Sequence, residues 1–420
     1  EKGVPATPID EGFTDEVGLQ SPSPIQKNPC PIATDVQNGE STDEFIEIKV
    51  NEASRVGDGM GAYVTYQVDT KTNIHSFNKN FFSVKRRFSD FLGLHDKLVE
   101  KHLRAGRIIP PAPEKSVIGM TKIKMSGQND QSASPSEFIK RRRASLERYL
   151  QRTADHPVLK KDPDFREFLE LEGELPKSTN TSALSGAAVM RLFNKVGETV
   201  NKITYKMDKI DQWFEDKTQE VECLESGLKR LQTSVEALVI ARKELATYTG
   251  ALAKSCALLS SCEEHPPLRR CLAHLSDLEE KIEVLHNDQA RTDFSVLSEL
   301  LKDYIALFGA IKEVFHERVK VYQHWQHSKM ILNKKQEYKS KMEHAKRADK
   351  ENLATSEIEE WDAKVDRCKK EFNNISEMIK KEMNSFEINR TKDFKSFFIK
   401  YMEDQMKHQQ QVKYCMVFIY

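Results

Sequence analysis

Apolar and polar residues alternate with period two in three short stretches: Ile46, Ile48 and Val50, then Tyr63 to Val68, then Phe81 to Phe88. That period sends every second side chain to one face, so each stretch reads as a strand with one buried side. Gly and Asn turns between them make a small three-stranded meander sheet. The pattern then changes to helical spacing. Ser89 with Asp90 is placed to cap a helix that runs to about Leu103, and further helical patterns cover Glu137 to Thr153 and Asp162 to Leu171. Between them Pro110, Pro111 and Pro113 impose an extended segment. Residues 43–172 therefore form an α+β domain.

The flanking segments read differently. Residues 1–42 are rich in Pro, Ser, Thr, Asp, Asn and Gly with few large apolar groups, a composition that cannot offset its ordering entropy and predicts a disordered tail. Residues 173–183 are a polar linker. In 184–203, Val189, Leu192, Phe193, Val196, Val200 and Ile203 fall on one side of a helical wheel, and Arg191, Asn194, Lys195, Glu198, Asn201 and Lys202 fall on the other. This amphipathic helix suits insertion into one leaflet of a membrane or docking along a helical bundle; small residues, Ser185 to Ala188, lead into it.

Residues 204–420 carry apolar seams with alternating steps of three and four: Val221, Leu224, Leu228, Leu231, Val235 and Leu238; Leu275, Leu278, Ile282 and Leu285; Trp361, Val365, Cys368, Phe372, Ile375 and Ile379. Breaks at His265 to Pro267 and at Ala348 to Asn352 divide this region into three long helices of roughly 55 to 80 residues. Seams of that length exceed what one chain buries alone, which predicts a dimeric coiled-coil bundle.

Composition narrows the function. Charged residues make up 31 % of the 420 and aromatics 8 %, which suits long solvent-washed helices. The 65 basic and 65 acidic side chains balance, so any affinity for an anionic surface rests on local patches. No stretch of about 20 apolar residues marks a spanning helix, and no signal peptide pattern opens the chain; membrane contact is expected to be peripheral. The seven cysteines lack CxxC spacing and read as free thiols. Cys262, His265, Cys271 and His274 lie close in sequence, but their spacing fits a helix junction better than a metal site. No metal and no cofactor is expected. Neither a GxSxG elbow, a P-loop nor an HExxH helix occurs, so the chain is not read as an enzyme. Acids interleave the basic residues of the long helices, which argues against nucleic-acid binding.

Basic residues converge in the first domain. Lys85, Arg86 and Arg87 precede Phe88, Ser89 and Asp90 at a strand–helix junction, Lys115 ends the Pro-rich loop, and Arg141 to Arg143 lie on a helix. A guanidinium fork matches phosphate oxygens, and a flat ring packs against a sugar-like face. Either cluster alone reads as a solvated basic surface; with the loop they read as an anionic-headgroup pocket. Val117 to Met120, just after the loop, are placed either to dip into a bilayer or to pack beneath the loop.

These residues resemble the PX domain, and the order of PX domain, amphipathic helix and three long helices resembles the PX-BAR sorting nexins. The strings FFSVKRRFSDFLGL at Phe81 to Leu94, PPAPEKSVIG at Pro110 to Gly119, LERYLQRT at Leu146 to Thr153 and SVEALV at Ser234 to Val239 are similar to the sorting nexin 1 and 2 branch. The resemblance covers about residues 45–414 and departs from the family at Cys415 to Tyr420. It implies that Arg87 binds the 3-phosphate of phosphatidylinositol 3-phosphate, with the 3,5-bisphosphate as a second ligand. Phe88 would stack beneath the inositol, with Ser89 beside it; Lys115 would contact the 1-phosphate and Arg142 the 4- and 5-hydroxyls. It further implies a BAR dimer whose basic patch includes Lys334, Lys335 and Lys339, with Gln336 where relatives carry Arg. Homodimers or heterodimers with another PX-BAR sorting nexin, association with retromer and transmembrane cargo, and work on early endosomes toward the Golgi complete the expectation. The alternative is a coiled-coil scaffold tethered to lipid that does not remodel membranes.

Overall fold

The computed structural model describes residues 44–57, 63–113, 135–175, 211–344 and 348–417. Three strands, β1 (Ile46–Val56), β2 (Tyr63–Thr72) and β3 (Phe81–Arg87), form an antiparallel sheet in the order β1-β2-β3. Val50 pairs with Val68, which in turn pairs with Val84. Alternation works as the sequence predicts: Ile46, Ile48 and Val50 are buried on the same face as Val68, Phe82 and Val84. The ladder slips between Val50 and Ala53, a bulge beyond which β1 continues to Val56.

Three helices cover the buried face: α1 (Phe88–His102), α2 (Pro135–Asp155) and α3 (Pro163–Glu170). The start of α1 differs from expectation. Its N-cap is Arg87, and Asp90, from the third helical position, accepts the Arg87 backbone N–H at 2.7 Å. Ser89 lies inside the first turn and caps nothing. Asp162 caps α3 by accepting from the Asp164 N–H at 2.8 Å, with Pro163 following where its missing N–H costs nothing. Phe91 and Phe168 meet edge to face at 5.0 Å and close the core between α1 and α3.

Side chains of α2 seal the outer edge of β1. Gln151 and Glu147 accept the N–H groups of Ile48 and Val50 at 3.2 and 2.8 Å. Arg143 and Gln151 donate to the carbonyls of Val50 and Ile46 at 3.1 and 3.2 Å. A helix thus supplies what a fourth strand would supply through its backbone.

The remainder is helical: α4 (Gln212–Cys262), α5 (Pro266–Asp293), α6 (Glu299–His344) and α7 (Ala348–Val417). A single π-helical turn, Phe294–Ser298, joins α5 to α6 without a break, so the three expected long helices are α4, α5–α6 and α7. The seam from Val365 to Ile379 is buried as expected. Farther along the bundle lies a polar layer: Arg242 pairs with the buried Asp293 at 3.0 Å, Gln405 donates to Asp293 at 2.6 Å, and Gln289 donates to Gln405 at 2.6 Å. Burial pushes the Asp293 carboxyl above its usual range despite Arg242. Such a layer is satisfied in one register only, and so holds α4, α5 and α7 in alignment.

The α+β domain is seated on the bundle. Ile108 enters a core cluster with Phe308, Ile311 and Ile375. Gly106 takes φ +85°, and a Cβ there would meet the Ile375 carbonyl oxygen at 2.9 Å, so only glycine fits that approach. From α2, Arg148 pairs with Glu299 at 3.0 Å, Arg152 pairs with Asp303 at 2.6 Å, and His156 lies 3.1 Å from Glu382.

Candidate functional site

The strand–helix junction divides two consecutive arginines between unlike tasks. Phe82, Val84 and Arg86 share the buried face of β3, so Arg86 points inward and is 1 % exposed. Its guanidinium ends the first domain: it donates to the carbonyls of Phe168 at 2.8 Å, Leu171 at 2.5 Å and Gly173 at 3.0 Å. Phe168 lies in the last turn of α3 and Leu171 is its C-cap, so their carbonyls lack helical partners, and Gly173 follows just beyond. Reading Arg86 as part of a surface basic cluster is therefore corrected; strand parity was the signal for its burial.

Arg87, on the opposite face, lies over the Tyr63 ring with its Cζ 3.8 Å from the centroid, and donates to the Tyr63 hydroxyl at 3.0 Å. The same nitrogen, Nη2, also meets the Glu174 carboxylate. Arg87 and Ser89 line a cavity of about 720 Å³ with Tyr63, Lys85, Lys97 and the segment Glu172 to Leu175. Asp90, Asp164 and Glu167 add carboxylates to its lining. Lys97 pairs with Asp164 at 2.8 Å, and Lys101 also reaches Asp164; although burial alone pushes that carboxyl up, the two lysines hold it below the usual range.

Phe88 and Arg142 do not line this cavity. The Arg142 guanidinium is sandwiched between the rings of Phe88, at 4.3 Å, and Phe138, at 4.7 Å. It is 6 % exposed, and its Nη1 has no hydrogen-bond partner among the described residues. Burial lowers the guanidinium pKa from its ordinary value, with Tyr66 opposing the shift. The structure thus brings together the four expected residues Arg87, Phe88, Ser89 and Arg142 at one junction, but as two pairs. Lys115 and the expected insertion residues Val189, Leu192, Phe193, Val196 and Val200 lie outside the described residues.

On α6, Lys334 is exposed, Lys335 pairs with Glu357 at 2.6 Å, and Lys339 approaches Glu343 at 3.8 Å. Two of the three expected patch lysines are therefore partly offset by acids. The cysteine–histidine group does not assemble; among the described residues no cluster could hold a metal ion. None of the described helices is long and apolar enough to cross a membrane.

One surface is larger than the seam reading suggested. Leu231, Leu238, Leu245, Leu252 and Leu259 recur every seventh residue along α4 and are 38–56 % exposed. Tyr248 and Leu258 beside them are 71 % and 69 % exposed. Positions between these leucines, Val235, Val239, Ala246 and Cys256, are buried within the chain. The α4 helix thus uses one apolar stripe internally and leaves an adjacent heptad stripe uncovered, a pattern the seventh-residue spacing already contained.

A three-stranded antiparallel sheet with helices, carrying an Arg-Phe junction and followed by a bundle of long helices, defines a PX domain joined to a BAR-like module. A family model described as "PX domain" matches residues 74–172, and one described as "Vps5 C terminal like" matches residues 189–417. Sorting nexin-2 of Homo sapiens is 51 % identical over 383 residues, spanning 91 % of this chain and 73 % of that protein. Sorting nexin-1 of Rattus norvegicus is 46 % identical over 405 residues, spanning 95 % and 77 %. A solved structure titled "The cryo-EM structure of the SNX-BAR Mvp1 tetramer" aligns with 87 % of this chain and 99 % of that chain, at 16 % identity and a TM-score of 0.49. The chain belongs to the PX-BAR sorting nexin family.

Proposed function

We propose that this protein is a peripheral membrane protein that binds phosphatidylinositol 3-phosphate, with the 3,5-bisphosphate as a second ligand, and acts as a curvature-sensing or curvature-inducing dimer in endosomal sorting. The observation that carries the reading is Arg142: a buried guanidinium with a hydrogen-bonding nitrogen left without a partner among the described residues, resting on the Phe88 ring next to Arg87. Leaving such a donor unsatisfied costs about 1–3 kcal/mol, which a headgroup hydroxyl would recover. Arg87, Phe88, Ser89, Lys115 and Arg142 form the lipid site. Val189, Leu192, Phe193, Val196 and Val200 insert into the leaflet, and Lys334, Lys335 and Lys339 face the anionic surface. Dimerisation is supported by the uncovered leucine stripe of α4, whose apolar width matches a second helical surface of the same kind. Three weak contacts joined on one scaffold multiply, so recruitment requires the lipid and the curved surface together. Early endosomes, a partner PX-BAR sorting nexin, retromer and transmembrane cargo complete the reading through the family.

The test is flotation and negative-stain microscopy with liposomes containing or lacking phosphatidylinositol 3-phosphate. The intact protein is expected to bind and draw tubules, Arg87→Ala to lose recruitment, and Phe193→Glu to bind without tubulating. Binding that ignores the lipid and Arg87, with vesicles remaining round, supports the tethered scaffold instead.

A further inference from the structure

Residues Leu171 to Leu175 form a strap that the fold holds in place. The buried Arg86 grips it through the Leu171 and Gly173 carbonyls. Gly173 then turns at φ +101°, a conformation that other residues rarely adopt, with nothing near its Cβ position. That turn brings Glu174 back onto Arg87. The neighbouring arginines thus act on one segment, Arg86 anchoring its backbone and Arg87 receiving its side chain. The Arg87 guanidinium lies over the Tyr63 ring, and its Nη2 is shared by the Tyr63 hydroxyl and Glu174. A carboxylate and a phosphate seek the same fork.

We propose that the strap is an internal competitor: Glu174 occupies the Arg87 guanidinium that the phosphate monoester of an inositol lipid must take, and so sets the affinity of the site. This inference rests on the reading of Arg87 as a lipid-phosphate ligand. The acidic lining of the cavity fits it. Glu172 and Glu174 both belong to the strap, so lifting the strap removes two of the five carboxylates that line the cavity beside Arg87. Glu174 is 69 % exposed and Arg87 32 %, so the pair is weak enough for a lipid phosphate to displace. An exposed ion pair of this kind corresponds to a factor of about two to five in an equilibrium constant. The strap therefore tunes the site rather than blocking it.

The experiment measures binding of the full chain, as wild type, Glu174→Gln, Arg87→Ala and the double variant. The probes are vesicles with phosphatidylinositol 3-phosphate, vesicles with phosphatidylinositol only, and soluble inositol 1,3-bisphosphate. Glu174→Gln is expected to tighten binding about two- to fivefold to the phosphorylated vesicles and to the soluble headgroup. It is expected to leave the control vesicles unchanged and to lose its effect in the Arg87→Ala background. If Arg87→Ala abolishes binding while Glu174→Gln matches wild type, the lipid site stands and the competitor is overturned. An equal gain with and without Arg87 also overturns it, because the charge then acts on the bilayer at large. If Arg87→Ala binds as wild type does, the lipid-site reading itself fails and the competitor with it.

Discussion

The guanidinium of Arg142 lies 4.3 Å from the centroid of the Phe88 ring, so the side chain expected to hold the 4- and 5-hydroxyls and the ring expected to stack beneath the inositol are in contact with each other. A ring can enter between them only if Arg142 withdraws. Arg142→Met keeps the length and removes a buried charge with an unpaired donor, a change that is often neutral for stability. We expect vesicle binding to fall more than about tenfold, equivalent to about 1.4 kcal/mol, with the melting temperature within about 4 °C of wild type. Cosedimentation and a thermal melt of the same sample decide this.

Arg86 should behave in the opposite way. Replacing it with Met orphans three carbonyls at the end of α3, and with charged hydrogen bonds contributing about 1.5–3 kcal/mol the loss should be about 3 kcal/mol or more. Arg86→Lys should recover less than half, because an ammonium lacks the fork that spans Phe168, Leu171 and Gly173. Urea denaturation followed by fluorescence measures both.

The leucine stripe gives a test of assembly. Leu245→Glu with Leu252→Glu places two charges at sites that are 48 % and 49 % exposed within one chain. Helical content by circular dichroism should be unchanged, whereas sedimentation should shift to monomer at concentrations where wild type is dimeric. A dimer that persists in the double variant would move the interface elsewhere.

The seat of the PX domain on the bundle depends on Arg152, which donates from two nitrogens to Asp303 at 2.9 and 2.6 Å and approaches Asp393 at 3.5 Å. Arg152→Ala leaves two carboxylates facing each other beside Tyr304. A loss of about 2 kcal/mol is expected, below the figure for fully buried pairs because all three groups keep some solvent contact. Faster hydrogen exchange should follow in the C-terminal half of α2 and in α6 around Asp303, but not in β1.

Asp164 supplies a pH dependence with a definite sign. Its folded pKa is depressed by Lys101 and Lys97, so its contribution is present above the unfolded carboxyl value of about 3.9 and is lost as pH falls through the folded value. Stability should therefore decline below about pH 4, and the decline should be shallower in Asp164→Asn. Chemical denaturation at pH 3 and pH 6 separates the two proteins.

The three strands, the helical covers and the break near His265 were legible because period two and period three-to-four are imposed by backbone geometry, whereas Ala348 to Asn352, expected as the second break, are the first turns of α7. Arg86 was misread because KRR looks like a surface cluster by charge, although its place two residues after Val84 assigns it to the buried face. The capping role fell to Arg87 and Asp90 rather than Ser89 because the strand ends at Arg87, one residue before the expected Phe88, and the helix starts there. Contacts such as Glu174 with Arg87, or Gly106 with Ile375, join positions far apart in sequence, and no local pattern encodes them. The stacking of Arg142 on Phe88 depends on where α2 crosses the sheet.

The sealed edge of β1 has a consequence for recognition. With the N–H groups of Ile48 and Val50 and the carbonyls of Ile46 and Val50 already engaged by Arg143, Glu147 and Gln151, an extended peptide finds no continuous backbone ladder between Ile46 and Val50 to join. Tails of other proteins cannot zip onto this border, and neither can a second molecule of the same chain; whatever docks near it must be recognised through side chains.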